Sequence, residues 1–261
     1  MRQTIINLSK RSLPHGVRLM LRRLNWRRLY FSQTIFCASP EGGVYCTIAE
    51  RPFKKFIDLR GDRIGPSNGS RSRQRLVWHY LKEEVGILKK PMRVLHVAPE
   101  LAFMEILGRL QHLEYLPGDK MVEGYGDQKG VRNLDLTALD LPDARFDLVI
   151  CNHVLEHIPD DRAAMREMYR VLAPGGQAVI TVPVREDLQR TYEDPTITTP
   201  AQRRKHFGQW DHVRFYALDL KERLQEAGFQ AVVVRYGRNF SKREYERLGL
   251  CDDPIFVARK P

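Results

Sequence analysis

RFDLVICNHVLEHIPDDRAAMREMYRVLAPGGQAVITVP, Arg145 to Pro183, is the stretch on which the fold turns. Phe146 to Cys151 is a short apolar run with Asp147 and Asn152 near its ends, the profile of a strand buried in a parallel sheet. Asn152 to Ile158 is a polar, histidine-bearing turn at that strand's carboxyl end. Asp160 and Asp161 are placed to cap a helix in which Ala164, Met165, Met168 and Leu172 recur at helical spacing. Pro174, Gly175 and Gly176 stop it, and Ala178 to Val182 reads as the next strand. Strand, helix, strand with both strands apolar is a crossover unit, and its turn lies where open α/β sheets bind ligands.

Outward from this unit, MRVLHVAPE (Met92 to Glu100) reads as the first strand of the sheet and LEYLPGDK (Leu113 to Lys120) as the second, with a helix through Ile106 and Leu110 between them. Leu76 to Ile87 supplies a helix before Lys89, Lys90 and Pro91, and Asp127 to Asp140 crosses toward a third, short edge. Leu218 to Ala227 is a helix stopped by Gly228, Ala231 to Tyr236 a strand, and Ile255 to Arg259 an antiparallel edge strand. Cys46 to Arg75 is rich in turn residues and reads as irregular. A long polar insertion, residues 185–216, follows the fifth strand, and long loops kept inside compact domains are often lids.

At 261 residues the chain can bury a full core, and no apolar run is long enough to span a membrane. Its four cysteines form no C-x-x-C pair, and Cys151 in a buried strand suits a reducing cytoplasm. The net charge of +11 is uneven. Met1 to Thr34 holds eight basic residues and no acid, leaving 35 Lys plus Arg against 32 acids elsewhere. Basicity therefore belongs to an arm, residues 1–45, in which Val17, Met20, Leu21 and Leu24 mark an amphipathic helix. Such an arm suits an anionic membrane surface, a nucleic-acid backbone, an organelle transit peptide or a plainly solvated helix.

FDLVICNHVLEHIPD followed by VLAPGG closely resembles the second half of the core of class I S-adenosylmethionine-dependent methyltransferases. The resemblance implies an α/β, Rossmann-like fold over residues 76–261, a mostly parallel seven-stranded sheet with helices on both faces and an antiparallel last strand. It also implies S-adenosyl-L-methionine as cofactor. A narrower resemblance covers residues 46–75, where Cys46 through GPSNGSRSRQRLVWHYL is similar to a zinc knuckle preceding this core in a bacterial subgroup. The four ligand positions fall on Cys46, Ala49, Gly65 and Asn68, of which only Cys46 is a good zinc ligand. The knuckle reads as degenerate, and no metal is expected.

Holding a methyl donor requires backbone approach to its methionine end, a carboxylate for the ribose and a side chain for the adenine amine. The family's usual glycine-rich run after the first strand is replaced by His96-Val97-Ala98-Pro99-Glu100, the Ala-Pro-Glu form that the subgroup tends to have. Ala98 and Pro99 are then the backbone contacts, and Glu100 either binds the methionine ammonium or serves as a first-turn helix carboxylate. His96 reads as a core histidine. Asp119, nineteen positions after Glu100, fits the ribose acid of nucleotide folds or an ordinary turn. The resemblance places Asp135 on the adenine amine, Leu136 beside the ring and Asn152 on the methionine moiety. His153 is a candidate base, by residue type, or a pocket-shaping histidine. Glu156 and His157 read as structural.

The insertion sets the acceptor, which the resemblance makes a small or glycan-like molecule methylated on oxygen or nitrogen. Tyr192, Glu193, Asp194, His206, Trp210, Asp211, His212 and Arg214 offer it acids, bases and aromatics, with Asp211–His212 either a base pair or a loop-closing hydrogen bond. Two rivals stand: a methyltransferase-fold binding or scaffold protein without catalysis, and a nucleic-acid methyltransferase guided by the arm. No Asn/Asp-Pro-Pro-Tyr motif follows the fourth strand, which counts against the second.

Overall fold

The computed structural model describes residues 43–59, 61–120 and 130–261. Residues 1–42 of the arm, where the amphipathic helix is expected, lie outside them. The chain divides into two compact units, the larger built from Tyr80–Lys120, Arg132–Asn239 and Asp252–Pro261.

The larger unit is built on a seven-stranded sheet. In chain order its elements are β1 (Met92–Val97), α1 (Leu101–Leu107), β2 (Leu113–Asp119), β3 (Arg132–Asn133) and β4 (Phe146–Asn152). There follow α2 (Asp161–Val171), β5 (Leu172–Thr181), α3 (Pro200–Phe207), α4 (Leu220–Glu226), β6 (Gln230–Val234) and β7 (Ile255–Arg259). The spatial order is β6-β7-β5-β4-β1-β2-β3. β1 through β5 pair in parallel, and β7 runs antiparallel to both its neighbours. The chain moves outward from β1 through β2 to β3, then returns to lay β4 on the other flank of β1. The point of reversal is the carboxyl end between β1 and β4, where α/β sheets of this kind take ligands.

Two-sided burial explains the apolar runs. On one face Leu95, Val97, Val149, Cys151, Ala178, Ile180, Phe256 and Ala258 meet Ala164, Met165 and Met168 of α2 and Leu220 and Leu224 of α4. On the other, the His96 ring lies 5.8 Å from Phe103 of α1. Helices therefore cover both faces. Asp160 caps α2 by accepting a hydrogen bond from the Ala163 N–H at 2.8 Å. α2 ends at Val171, and Leu172, expected on the helix, already pairs with Phe146 in the sheet. Ile255–Arg259 is the last strand in sequence but not an edge in space, because β6 closes that margin.

The smaller unit takes in the described residues up to His79, residues 130–131 and Phe240–Cys251. The stretch expected to be irregular forms two short antiparallel pairs, Val44–Cys46 with Arg51–Phe53 and Ile57–Leu59 with Asp62–Ile64. Arg75 is fully buried among them. Its guanidinium donates to the carbonyls of Arg63, Ser70, Leu248 and Gly249 and stacks 4.1 Å from the Phe56 ring. Burial pulls its pKa down to about 10. The four positions of the degenerate knuckle do gather. The Cys46 thiol lies 4.0 Å from Asn68 Oδ1, accepts from the Ala49 N–H at 3.4 Å and stands 3.3 Å from Ser70 Oγ. A Cβ on Gly65 would sit 2.5 Å from that hydroxyl, so a larger residue there would push Ser70 and Asn68 aside.

Candidate active site

At the reversal point a buried polar chain runs across four strands, β2, β1, β4 and β5. Tyr115 Oη and His96 Nδ1 are 2.9 Å apart, and His96 Nε2 is 3.0 Å from Glu100 Oε2. Asn152 Nδ2 donates to the same oxygen at 3.5 Å, and Asn152 Oδ1 accepts from Thr181 Oγ1 at 3.0 Å. Burial alone would raise the Glu100 carboxyl, but the His96 and Asn152 hydrogen bonds hold it below the ordinary carboxylate range. Tyr115 is shifted the other way, by burial and by the Glu100 charge, and keeps its proton. Protons are thus assigned along the chain: Tyr115 donates to His96 Nδ1, and His96 Nε2–H donates to a Glu100 carboxylate. His96, expected to be a core histidine, is that and also the clamp on Glu100.

Two non-glycine residues take the left-handed conformation here, Ala98 at φ +47° and His153 at φ +53°. Such backbone costs on the order of 1–3 kcal/mol and persists only where its surroundings over-determine it. The Ala98 N–H donates to the Gly118 carbonyl at 2.8 Å, and the His153 N–H to the Thr181 carbonyl at 2.7 Å. The loop without glycine after β1 therefore still makes the tight turn that glycine usually supplies, with Ala98 in the strained position and Pro99 leading to the Glu100 N-cap.

Asp119 ends β2, half-buried, its carboxyl raised by that burial and lowered in part by the Lys120 N–H. A Cβ on Gly118 beside it would meet Leu134 Cδ1 at 2.3 Å, so any larger residue there displaces the Leu134 side chain. Asp135 accepts from Thr137 N–H and Oγ1 at 2.9 and 2.7 Å and pairs with Lys120 Nζ at 2.6 Å. Those hydrogen bonds, Lys120 first, lower its carboxyl to about 2. Leu136 is 4% exposed and belongs to the core. The Asn152 carbonyl oxygen, expected on the methionine moiety, already accepts from Thr181.

Beyond β4 the turn carries a second cluster. His153 Nδ1 faces Glu156 Oε1 at 3.4 Å, which gives it the orienting carboxylate a base needs. Asp211 is not set against His212. Its Oδ2 lies 3.3 Å from His157 Nδ1 and its Oδ1 accepts from Gln209. His212 is 8% exposed, crosses the His157 ring edge-on at 4.7 Å, and is lowered in pKa by burial and by His157. Glu156, read from sequence as structural, proves to be the hub of this cluster. The spacing of its histidine neighbours was visible in the sequence, but not the return of His212 to it.

The insertion is folded rather than loose. Tyr192–Glu193 pairs antiparallel with Arg214–Phe215, and a capping box between Thr199 and Gln202 starts α3. Arg214, 4% exposed, donates to the carbonyls of Leu155, Ile158 and Pro159 and to Glu193. Arg223 binds Asp161 and Glu193, and Tyr216 Oη donates to Asp161. Glu193 and Arg214, candidates for ligand contact, are occupied in holding the insertion to the start of α2. A cleft of about 600 Å³ opens between the two, lined by Pro159, Asp160, Asp194, Pro195, Ile197, Thr198, Arg203 and Val213 among others. Glu100, Asp119, Asn152 and His153 do not line it.

Comparison with known proteins places this geometry. A protein of Mycolicibacterium smegmatis named as a probable S-adenosylmethionine-dependent methyltransferase is 32% identical over 100 residues, 38% of this chain and 35% of its own. The ubiquinone/menaquinone biosynthesis C-methyltransferase UbiE of Xanthomonas oryzae is 56% identical over 41 residues, 16% of either chain. The matches thus span about a third or less of these two relatives. Among solved structures, the [4+2]-cyclase SpnF superposes with a TM-score of 0.50 at 18% identity, over 79% of this chain and 87% of its own. A cyclase on the same scaffold shows that the scaffold alone does not name the chemistry. The family profile described as a methyltransferase domain matches residues 71–234, from before β1 to the end of β6. With more than half of the chain under that profile, the protein belongs to the methyltransferase domain family.

Proposed function

We propose that the protein transfers a methyl group from S-adenosylmethionine to an oxygen or nitrogen of a small, hydroxyl-bearing acceptor of glycan-like character. The observation that supports this reading best is the pair of carboxylates, Glu100 and Asp119, at the ends of neighbouring strands beside the reversal point of a methyltransferase-family sheet. The donor set fits the cofactor. Both side-chain hydrogen bonds to Glu100 converge on Oε2, leaving Oε1 without a side-chain donor among the described residues, as an ammonium partner requires. Asp119, desolvated and supplied with the Lys120 N–H, gains from the hydroxyls of a ribose. The tight turn at Ala98 and Pro99 lets backbone approach the methionine end.

When bound, the cofactor supplies an electrophilic methyl group, transferred by in-line displacement. The chain's own tasks are to hold both reactants at about 3–3.5 Å and keep water out. Asn152 positions Glu100 through its amide, and its carbonyl, with one lone pair on the Thr181 hydroxyl, has a second for the methionine moiety. Asp135 reaches the adenine amine once Lys120, an exposed partner, swings away, and Leu136 backs the ring from the core. His153, braced by Glu156, receives the acceptor's proton, and Asp211 and His212 act from the cluster behind it. We also propose that the arm, with eight basic residues and no acid, touches anionic membrane surfaces; if a chain lacking residues 1–34 floats with liposomes as well as the full chain, it does not.

Calorimetric titration of S-adenosylmethionine and S-adenosylhomocysteine into wild type and Asp119→Ala is the deciding experiment. Micromolar binding weakened about tenfold or more by the substitution, roughly 1.4 kcal/mol, supports the reading and justifies an acceptor screen. Folded protein that binds neither ligand is a scaffold and not a transferase.

A further inference from the structure

Glu156, His157 and His212 each bring one ligand atom to within 4.8 Å of the others. Two of these side chains are almost fully buried, Glu156 at 2% and His212 at 8% exposure. Each has a buried polar atom with no partner, Oε2 of Glu156 and Nδ1 of His212. A buried carboxylate oxygen and a buried imidazole nitrogen left unpaired each cost the fold a desolvation that nothing offsets. Here they lie in one cluster. The fold pays that cost locally because the Val213 N–H donates to the Glu156 carbonyl at 2.9 Å, which pins His212 beside the acid.

The outer partners decide which nitrogens are available. His212 hydrogen-bonds the Phe207 backbone, and since Nδ1 has no partner this is the work of Nε2. Nε2 therefore carries the proton and Nδ1 presents its lone pair. His157 Nδ1 faces the Asp211 carboxylate at 3.3 Å, so its proton sits there and Nε2, 4.0 Å from Glu156 Oε1, presents the lone pair. A backbone carbonyl behind one imidazole and a carboxylate behind the other are the supports that metal-ligating histidines have.

We propose that Glu156, His157 and His212 bind a divalent transition-metal ion, zinc by preference. Two imidazoles and one carboxylate are a borderline-soft donor set, which selects zinc or its neighbours over magnesium and calcium. Bonds of about 2.0–2.1 Å hold tetrahedral ligand atoms about 3.4 Å apart, so the widest pair closes by about 1.4 Å on loading. His157, 31% exposed, has the freedom to make that movement. Three protein ligands leave coordination for water, or for a heteroatom of the acceptor; only this last clause rests on the methyl-transfer reading. The sequence suggests a metal at Cys46 and finds it degenerate, whereas these ligands come together only through the insertion.

Full-length protein stripped with a chelator and titrated with zinc chloride should take up one equivalent, with a rise in unfolding temperature at saturation. Cobalt chloride should give the intense d–d absorption of a four-coordinate ion. Glu156→Gln, near-isosteric in its buried place, and His157→Ala, at a partly exposed position, should each weaken zinc binding at least about tenfold. Cys46→Ser and His206→Ala should leave it unchanged. Absence of stoichiometric uptake by the wild type, uptake indifferent to the Glu156 and His157 changes, or uptake abolished by Cys46→Ser would each overturn the assignment. None of these readouts involves the methyl donor, so failure here and failure of the methyltransferase reading are told apart.

Discussion

Replacing Glu100 with glutamine separates a binding carboxylate from a structural one. Both side-chain donors, His96 Nε2–H and Asn152 Nδ2–H, reach the same oxygen, Oε2. A glutamine that places its carbonyl there keeps both hydrogen bonds and turns its NH2 toward the position of Oε1. The folded protein then loses only the charge-assisted part of two bonds, about 1–2 kcal/mol. A ligand ammonium meets a donor where it needs an acceptor and loses a charge-assisted hydrogen bond, about 1.5–3 kcal/mol. That corresponds to a rise in Kd of about 10–150-fold. Calorimetry should show it equally for S-adenosylmethionine and S-adenosylhomocysteine, which share the amino-acid end and differ at sulfur. A variant whose unfolding temperature drops while both Kd values stay within about twofold of wild type would refute the assignment and make Glu100 a helix-start carboxylate only.

The same residue sets an acid limb. Its carboxyl sits below the ordinary 4.5, so the stability it contributes is present above that value and lost as pH falls through the folded one. Urea midpoints taken downward from about pH 5.5 should therefore fall less steeply for Glu100→Gln than for wild type; parallel curves would contradict this. Ala98→Gly removes the left-handed strain at φ +47° and should stabilise by about 0.5–1 kcal/mol in chemical denaturation, with a fall counting against the strain. Asp161→Ala strips the buried partner from Arg223 and the acceptor from Tyr216, at a cost of about 3–5 kcal/mol, or about 6–20 °C in Tm. Glu193→Gln, at a 37% exposed side chain, should cost less, and an equal or larger loss there would invert the proposed order. Arg75→Met leaves the carbonyls of Arg63, Ser70, Leu248 and Gly249 without their donor and should destabilise by at least about 3 kcal/mol, with faster amide exchange around residues 62–64 and 248–250 as the local signature.

The strands were legible because burial on both faces writes them as apolar runs, and Ile255–Arg259 was placed to the residue. Its position between β5 and β6 was not legible, since strand order depends on pairing that no local pattern encodes. Helix starts at Pro200 and Lys242 were available in the chain as Thr199 with Gln202 and Ser241 with Glu244, both capping boxes. They escape a search for apolar periodicity because α3 buries only Phe207 and Lys242–Leu248 buries no residue fully. Glu100, Asp119 and Asn152 could be named from spacing and resemblance. What surrounds them could not, because Tyr115 reaches His96 only through the register of β1 on β2, and Arg214 and Arg223 reach Asp161 across more than fifty positions.

The turn from Asn152 to His157 joins the two clusters. Asn152 faces Glu100, while Glu156 and His157, one helical turn on, face the insertion through Asp211 and His212. Between them His153 is held at a positive φ, with its N–H tied to the Thr181 carbonyl and the Thr181 hydroxyl tied to Asn152. A left-handed residue at this point reverses the chain directly after a buried strand, so both side-chain sets emerge within a few residues. A right-handed His153 would carry Glu156 away from the Val213 N–H and so release His212. The strain is therefore the condition for having the Asn152–Glu100 contact and a histidine–carboxylate cluster on one short segment, and the Thr181 contacts to both backbone and side chain are what hold it.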